Sequence, residues 1–590
     1  MRSANTFAIL KQIGKKCANE KAGYAGLCLP SHSYRVNLFE NNNGLRALTF
    51  IENCNLANRA RLFHTTSSNL VFKSRHPDVQ IPNMSIPEFV LDSKFTTKPA
   101  LIDGVTGRTL NFNQVKDSVW RLASGFSRLG FKKGDVLMII SENSIEFMLV
   151  FHAIMWIGGT VTTCNPHYLV PDISKQAVDA DVSYIFCSHL YSGKAHEVSE
   201  HMHTIKKVIT VGQVDGLIPL TILLEDDGSE FPKNVDIDYK THTALLPYSS
   251  GTTGMPKGVM LTHYNEVANA VQSDIPNFLL NRDVEKHLGL LPFYHIFGII
   301  VHCICSMKDG QTTVIIPAFD PKIFLDCIQR YKIGMTHIVP PIVMFLNKHP
   351  MVKRFDMSSL KRLVCAAAPL GAESVHEFHE KYPNCVLGQG YGMTETSPVV
   401  TMNQIPTCKT KPASSGTAVP NTFLKVVDIY NNELGPGEKG ELCIKGPQLM
   451  KGYHKNPEAT ANMIDSEGWL HTGDICTIDE DGHLFVVDRV KELIKYKGLQ
   501  VPPAELEALL CSHKAVGDAA VVGVPDHEAG ELPKAFVALK PGAKVTAEEI
   551  HKFVDERVVQ YKRLRGGVVF LPQIPRSPAG KILRRELKNL

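Results

Sequence analysis

Tyr248-Ser249-Ser250-Gly251-Thr252-Thr253-Gly254-Met255-Pro256-Lys257-Gly258 is the stretch on which the reading of this 590-residue chain turns. Its small and hydroxylated residues leave the backbone free to fold tightly, so that N–H groups and hydroxyls converge on an anion. Glycine tolerates the positive φ and close approach that such a cradle needs. Lys257 adds a compact ammonium suited to a phosphate oxygen. Apolar Ala244-Leu245-Leu246 before the run and Val259-Met260-Leu261-Thr262 after it read as strands. A Walker loop requires Gly-Lys-Ser/Thr at the start of a helix, whereas Lys257 here is followed by Gly258 and Val259 and preceded by Pro256. The same composition also suits a glycine- and threonine-rich surface turn, so the run has to be read with the rest of the chain.

From about residue 83 onward, helical and strand-like blocks alternate. Val115, Val119, Leu122, Phe126 and Leu129 recur at helical spacing and predict a helix over residues 112–130. Residues 135–140, 182–186, 312–316 and 363–365 are short apolar runs, the pattern of strands in a sheet buried on both faces. This predicts a large α/β body. After residue 421 the texture changes to shorter, turn-rich strands at 424–428, 440–444 and 482–487. Beyond the polar segment Asp488-Arg489-Val490-Lys491 come a helix at 503–511, strands at 518–524 and 535–539, and a helix at 547–559. The division expected is a leader at 1–70, a body at 71–488 and a small, mobile α+β domain at 489–590.

Hydrophobic content of 44% and charged content of 21% are those of a globular protein, and a net charge of +4 is too small to suggest nucleic acid. Residues 1–70 hold nine Lys and Arg against three Glu, so the positive excess belongs to the leader. It is poor in acids, contains Ser and Asn, has no long apolar run, and closes on Arg59-Ala60-Arg61-Leu62-Phe63-His64-Thr65-Thr66-Ser67-Ser68. That composition is expected of a mitochondrial transit peptide. The alternative, a peroxisomal address at Lys588-Asn589-Leu590, only loosely matches Ser-Lys-Leu. The fourteen cysteines include no Cys-x-x-Cys pair, which favours a reducing compartment and no structural zinc. Residues 147–159 and 288–307 are the longest apolar stretches, but His152, and Pro292, His295, Gly298 and His302, make both read as buried core rather than membrane spans.

Four further blocks carry chemistry. Gly388-Gln389-Gly390-Tyr391-Gly392-Met393-Thr394-Glu395-Thr396 combines close backbone approach, an aromatic face, a hydroxyl and a carboxylate able to hold Mg²⁺, although a glycine-rich strand-to-loop turn would look alike. Trp469-Leu470-His471-Thr472-Gly473-Asp474, with Arg489 fifteen positions on, can present a carboxylate to two ribose hydroxyls, or can be an Asx turn. The cations Arg489, Lys491, Lys495 and Lys497 cluster, ahead of Gly498, where an interdomain hinge is expected. Finally, Pro575-Arg576-Ser577-Pro578-Ala579-Gly580-Lys581 puts an ammonium on a loop near the C-terminus, where a basic tail is the plain alternative.

Taken together and in this order, the five blocks resemble the adenylate-forming (AMP-binding) superfamily of acyl-CoA synthetases, beetle luciferases and peptide-synthetase adenylation domains. The resemblance is strongest to the 4-coumarate–CoA ligase and luciferase-like branch, and it covers residues from about 80 to 590. It implies an ATP-dependent carboxylic acid–CoA ligase acting through an acyl-AMP, on a fatty or aryl-alkenoic acid. A luciferase-like oxygenase and a catalytically silent nucleotide-binding homologue are the alternatives. ATP, Mg²⁺ and coenzyme A are the implied cofactor set, with no transmembrane segment and the oligomeric state open.

By the same resemblance, Ser249, Ser250, Gly251, Thr252, Thr253, Gly254 and Lys257 are expected to hold the β- and γ-phosphates, and Gln389, Gly390, Tyr391 and Thr394 the adenine and AMP. Glu395 is implied as the Mg²⁺ carboxylate, Asp474 and Arg489 as the ribose pair, and Lys491 as the hinge. Lys581 is implied as the lysine of the adenylation step. Lys495, with Lys497 and Gly498 at the coenzyme, is implied to serve thioester formation after the small domain rotates. His295, in Pro292-Phe293-Tyr294-His295-Ile296-Phe297-Gly298, matches a position at the acyl-pocket entrance, where a buried structural histidine is the other reading. Ala366, Ala367 and Ala368 stand on the pocket wall. Ala366 replaces the glycine common there, which narrows the expected pocket.

Overall fold

The computed structural model describes residues 25–29, 32–40, 46–52, 70–92, 96–249, 256–276, 278, 284–489, 492–497, 499–577 and 580–590. The chain divides into two compact units, residues 1–68 and 69–590. In the first, Ala25–Leu29, His32–Glu40 and Arg46–Glu52 pair antiparallel in a three-stranded sheet. The cleavage-like residues 59–68 of the expected transit peptide lie outside the described residues.

The second unit is built on two nine-stranded sheets. In one, Val136–Ile140 lies between Val182–Cys187 and Thr160–Cys164 and runs parallel to both, with Leu137, Met138, Ile139 and Ile140 fully buried. Burial on both faces explains why this strand reads as an unbroken apolar run. The other sheet has the central order Val386–Gly392, Arg362–Cys365, Met335–Ile338, Lys286–Gly289, Thr312–Ile315, Pro99–Asp103, with each neighbouring pair parallel.

The expected helix at 112–130 forms as Phe112–Arg128, started by a reciprocal Asn111–Gln114 capping box. It ends two residues short of the expected limit, where Leu129 N–H still bonds to Gly125 O and Gly130 takes φ +87°. Ile145–Trp156 is buried on nearly all sides, as a helix apolar all round must be. The apolar stretch 288–307 is broken into the end of Lys286–Gly289, the short turn Ile296–Gly298 and a π-helical turn at Ile299–Cys305. No helix among the described residues is long and apolar enough to cross a membrane.

The turn-rich segment after residue 421 forms a five-stranded sheet ordered Leu484–Arg489, Leu470–Ile478, Gly440–Lys445, Phe423–Val427, Phe72–Lys73. Its last strand comes from the far end of the unit, a pairing with no local signature. The C-terminal portion has its own five-stranded sheet, led by Val516–Asp526 against Gly530–Leu539, and its own apolar core with Pro503–Ser512 and Ala547–Asp555 packed against it. It docks on the body where Lys348 Nζ donates to the Cys511 carbonyl at 3.2 Å and where Gly580 approaches Val339.

Candidate active site

A cavity of about 840 Å³ opens at the C-terminal ends of the parallel strands Met335–Ile338, Arg362–Cys365 and Val386–Gly392, where open α/β sheets place their ligands. Ser249 and Lys257 line it from the other large sheet, and Ser577 and Lys581 from the C-terminal portion.

At one end Ser249 pairs with Lys257 across an antiparallel bridge, which brings the two edges of the glycine-rich run together. Ser249 Oγ is buried and has no hydrogen-bond partner among the described residues, as suits a hydroxyl that meets an anion. Lys257 Nζ lies 4.9 Å from the centre of the Tyr453 ring. The Tyr453 hydroxyl donates to Glu395 Oε1 at 2.8 Å. Burial and the Glu395 carboxylate together push the Tyr453 phenol up, so it stays protonated and donating. Glu395 itself is held on the turn Thr394–Thr396, with its carbonyl accepting from Met450 N–H at 2.9 Å. Only one of its oxygens is bonded to Tyr453, and a carboxylate has lone pairs to spare for a hard cation, so the residues present fit Mg²⁺.

Tyr391 lines the cavity, and its hydroxyl donates to Asp474 Oδ2 at 2.6 Å. Burial, with the Asp474 charge adding to it, raises the Tyr391 phenol well above the ordinary range. Asp474 N–H in turn donates to Thr472 Oγ1 at 3.0 Å, and the Asp474 backbone stands opposite Arg489 in register. Thr472, Gly473 and Glu441 line the cavity, with Gly473 N–H donating to Glu441 Oε1 at 2.9 Å; Asp474 itself does not line it and acts there through Tyr391. Gly392 is required where it stands, since a Cβ there would come within 2.0 Å of the Pro398 carbonyl.

Gln389 is held by its neighbours. It does not line the cavity; its amide nitrogen donates to the carbonyls of Leu370 and Pro412 at 3.1 and 2.7 Å, and its oxygen accepts from Leu370 N–H. These bonds tie the chain around Leu370 and Pro412 to the strand that carries Gly390 and Tyr391.

Lys581 reaches the cavity on a tightly tied loop. Ser577 N–H bonds to the Lys581 carbonyl at 2.7 Å, Gly580 N–H to the Ser577 carbonyl at 2.8 Å, and Arg576 grips both Asp518 and the Gly580 carbonyl. Gly580 has φ +82°, the left-handed region that favours glycine, and a Cβ there would stand 2.8 Å from Val339 Cβ. Lys495 and Lys497 are exposed and do not line the cavity; Lys495 sits on the strand Ile494–Tyr496, with its N–H donating to Glu531. The C-terminal portion therefore turns Lys581 inward while Lys495 faces elsewhere.

In the acyl region His295, Ala366 and Ala367 line the cavity, while Ala368 does not. Ala367 has φ +73°, where a Cβ is disfavoured. His295 Nδ1 accepts from Phe297 N–H at 3.3 Å, capping the turn Ile296–Gly298, so the neutral ring carries its proton on Nε2. Burial pulls its pKa down to about 4.

Ser250, Gly251, Thr252, Thr253, Gly254, Lys491 and Gly498, and the side chain of Arg489, lie outside the described residues. Tyr453, Glu441 and His337, which sequence reasoning did not single out, all line the cavity. Tyr453 follows a glycine in Met450-Lys451-Gly452-Tyr453, and that is its sole local signal.

Residues 92–454 match the family model described as AMP-binding enzyme, and residues 505–581 match the AMP-binding enzyme C-terminal domain. The chain is 40% identical over 541 residues to the "Probable 4-coumarate–CoA ligase 3" of Dictyostelium discoideum, covering 88% of this chain and 97% of that protein. It is 41% identical over 541 residues to 4-coumarate–CoA ligase 3 of Arabidopsis thaliana, covering 89% and 95%. Among solved structures, ATP-bound MatB from Rhodopseudomonas palustris superposes with a TM-score of 0.76 at 25% identity, over 86% of this chain and 99% of that one.

Proposed function

The chain belongs to the AMP-binding enzyme family as an AMP-forming acid–thiol ligase, and on that footing we propose that it makes acyl-CoA from a fatty or aryl-alkenoic acid, ATP and coenzyme A through an acyl-AMP. The observation that carries the reading is the meeting of Lys581, from the C-terminal portion, with Lys257, Tyr391 and Glu395, from the body, around one cavity.

A carboxylate is a poor acyl donor because its leaving group would be oxide. In the first step a carboxylate oxygen attacks the α-phosphorus, the bond to the β-phosphate's bridging oxygen breaks, and pyrophosphate leaves with that electron pair. Ser249 and Lys257 are placed to hold the departing phosphates, and the Lys581 ammonium to stabilise charge on the transferring phosphoryl group without moving a proton. Tyr391 and Asp474 orient the nucleoside. Glu395 is the residue that would hold Mg²⁺, which when bound supplies charge neutralisation at phosphate oxygens. In the second step the coenzyme's sulfur attacks the acyl carbonyl, the acyl–phosphate C–O bond breaks, AMP leaves and the thiol proton passes to solvent. Lys495 and Lys497 serve this step once the C-terminal portion has turned. Residues 1–70 direct the protein to mitochondria, which a fluorescent fusion of that segment tests.

A panel of fatty and aryl-alkenoic acids assayed for pyrophosphate release, with and without coenzyme A, tests the activity. At least one acid should give a single-turnover release alone and sustained release with the thiol. Failure of every acid would overturn the ligase reading in favour of a silent nucleotide-binding protein.

A further inference from the structure

The glycine-rich run leaves and rejoins the body at Ser249 and Lys257, so whatever fixes those two residues fixes both ends of the run. The strand Tyr248–Ser249 pairs antiparallel with Lys257–Thr262, Tyr248 opposite Gly258 and Ser249 opposite Lys257. Two paired residues hold a strand end weakly by themselves. The Tyr248 side chain adds to them. It lines the cavity, and it lies so close to Gly258 that a Cβ there would stand 3.2 Å from both its Cζ and its hydroxyl oxygen. That hydroxyl donates to Asp179 Oδ2, on the last turn of the helix Val170–Asp179.

Burial, with the Asp179 and Asp181 charges adding to it, pushes the Tyr248 phenol up, so the phenol keeps its proton and the carboxylate accepts. The same helix end also meets another strand paired with Lys257–Thr262. That strand, Gly452–Tyr453, sets Tyr453 opposite Val259, and the His454 N–H after it donates to the Gly258 carbonyl at 2.8 Å. Lys455 Nζ then donates to the Asp179 carbonyl at 2.9 Å and to Asp181 Oδ1 at 2.8 Å. Lys455 and Asp181 are exposed, so their ion pair adds little. The Tyr248–Asp179 bond is part-buried and charge-assisted, and it is the stronger tie. One helix end thus fastens Tyr248 on one strand and residues 453–455 on another, and Gly258 is joined to both.

We propose that Asp179 and Tyr248 are positioning residues for pyrophosphate release: the carboxylate fixes the phenol, and the phenol fixes Ser249 and Gly258, so that the Ser249 hydroxyl and the Lys257 ammonium meet the departing phosphates together. This rests on the ligase reading above and assigns the pair to one of its two steps. Asp179 does not line the cavity and acts through Tyr248, which does. Adenylation expels the β- and γ-phosphates, and a displaced hydroxyl or ammonium there loses stabilisation of the charge they carry away. Thioester formation starts from acyl-AMP, which no longer has those phosphates, so that step does not need the clasp.

The test separates the half-reactions with an acid that the wild type activates. One measurement is kcat/KM for MgATP in pyrophosphate release; the other is the single-turnover rate at which coenzyme A converts preformed acyl-AMP to thioester. Tyr248→Phe, which keeps the ring and removes the donor, and Asp179→Ala should each lower the first by about tenfold or more and change the second by less than about twofold, the loss of one hydrogen bond to a charged group felt in one step alone. Asp179→Asn, whose amide oxygen still accepts, should keep most of the first. The double variant Tyr248→Phe with Asp179→Ala should cost little more than the worse single one. Thermal melting reports whether each variant folds, and Tyr248→Phe decides the matter if Asp179→Ala does not. An unchanged first half-reaction, equal loss of both halves in a folded variant, or an Asn variant no better than the Ala one would overturn the proposal and leave the ligase standing. No release from the wild type with any acid is the separate failure of the ligase reading, and the proposal falls with it.

Discussion

The Tyr453 hydroxyl donates to Glu395 Oε1 at 2.8 Å while the Lys257 ammonium lies 4.9 Å from the centre of the same ring. One phenol thus sets the position of the carboxylate that would hold the cation and packs against the lysine that would hold the phosphate. Tyr453→Phe keeps the ring and removes the donor from a carboxylate that is only 6% exposed. A hydrogen bond to a charged group contributes about 1.5–3 kcal/mol, so kcat/KM for MgATP should fall by roughly tenfold or more. Pyrophosphate release across a Mg²⁺ titration measures it, and an unchanged value would remove Tyr453 from the site.

Tyr391→Phe and Asp474→Ala break one bond from its two ends, the 2.6 Å contact between hydroxyl and carboxylate. Both should raise the KM for ATP by about tenfold with a smaller change in kcat, the signature of lost ground-state binding. Because the two residues act as a unit, the double variant should cost little more than the worse single one.

Lys581 lines the cavity and Lys495 does not. Lys581→Ala should block acyl-AMP formation yet leave preformed acyl-AMP convertible to thioester, and Lys495→Ala should show the opposite bias. Single-turnover assays of each half-reaction separate them, and equal loss of both halves in each variant would sink the two-faced arrangement.

Gly580→Ala places a Cβ at φ +82° and 2.8 Å from Val339 Cβ. Adenylation should slow several-fold more than thioester formation, because only the first needs Lys581 seated at this contact. Adding Val339→Gly, which removes that Cβ, should recover part of the loss; no recovery would trace the defect to backbone strain alone.

Cys443 Sγ at 3.4 Å and Glu441 Oε2 at 3.3 Å from Nδ1 push the His471 pKa up from 6.5 to about 10. A pKa raised in the folded state stabilises fully below the unfolded value and is lost as pH rises through the folded one. The melting-temperature gap between wild type and His471→Gln should therefore be widest below pH 6.5 and close as pH approaches 10. A gap that widened with pH would reverse the assignment.

The helix Phe112–Arg128 and the strand Val136–Ile140 were legible because each is coded within its own residues, by apolar period and by composition. Lys257, Tyr391, Glu395 and Lys581 stood out for the same reason, in unusual local runs of glycine, hydroxyl and charge, and all four line the cavity. Gln389 sits inside such a run, and its amide bonds Leu370, nineteen residues before it, and Pro412, twenty-three after it, partners that no local run announces. Tyr453 and the bond from Tyr248 to Asp179 were hidden for the same reason. A tyrosine after a glycine, or an aspartate at the end of a helix, says nothing until its partners arrive.

By itself, then, the sequence determined the α/β architecture, the small C-terminal portion and the AMP-binding family, because periodicity and motif are properties of contiguous residues. The tertiary structure alone decided which lysine faces the cavity, which carboxylate Tyr453 holds, and that Asp179 meets Tyr248. Those are distances between side chains brought in by different strands and turns, and strand order and domain docking set them.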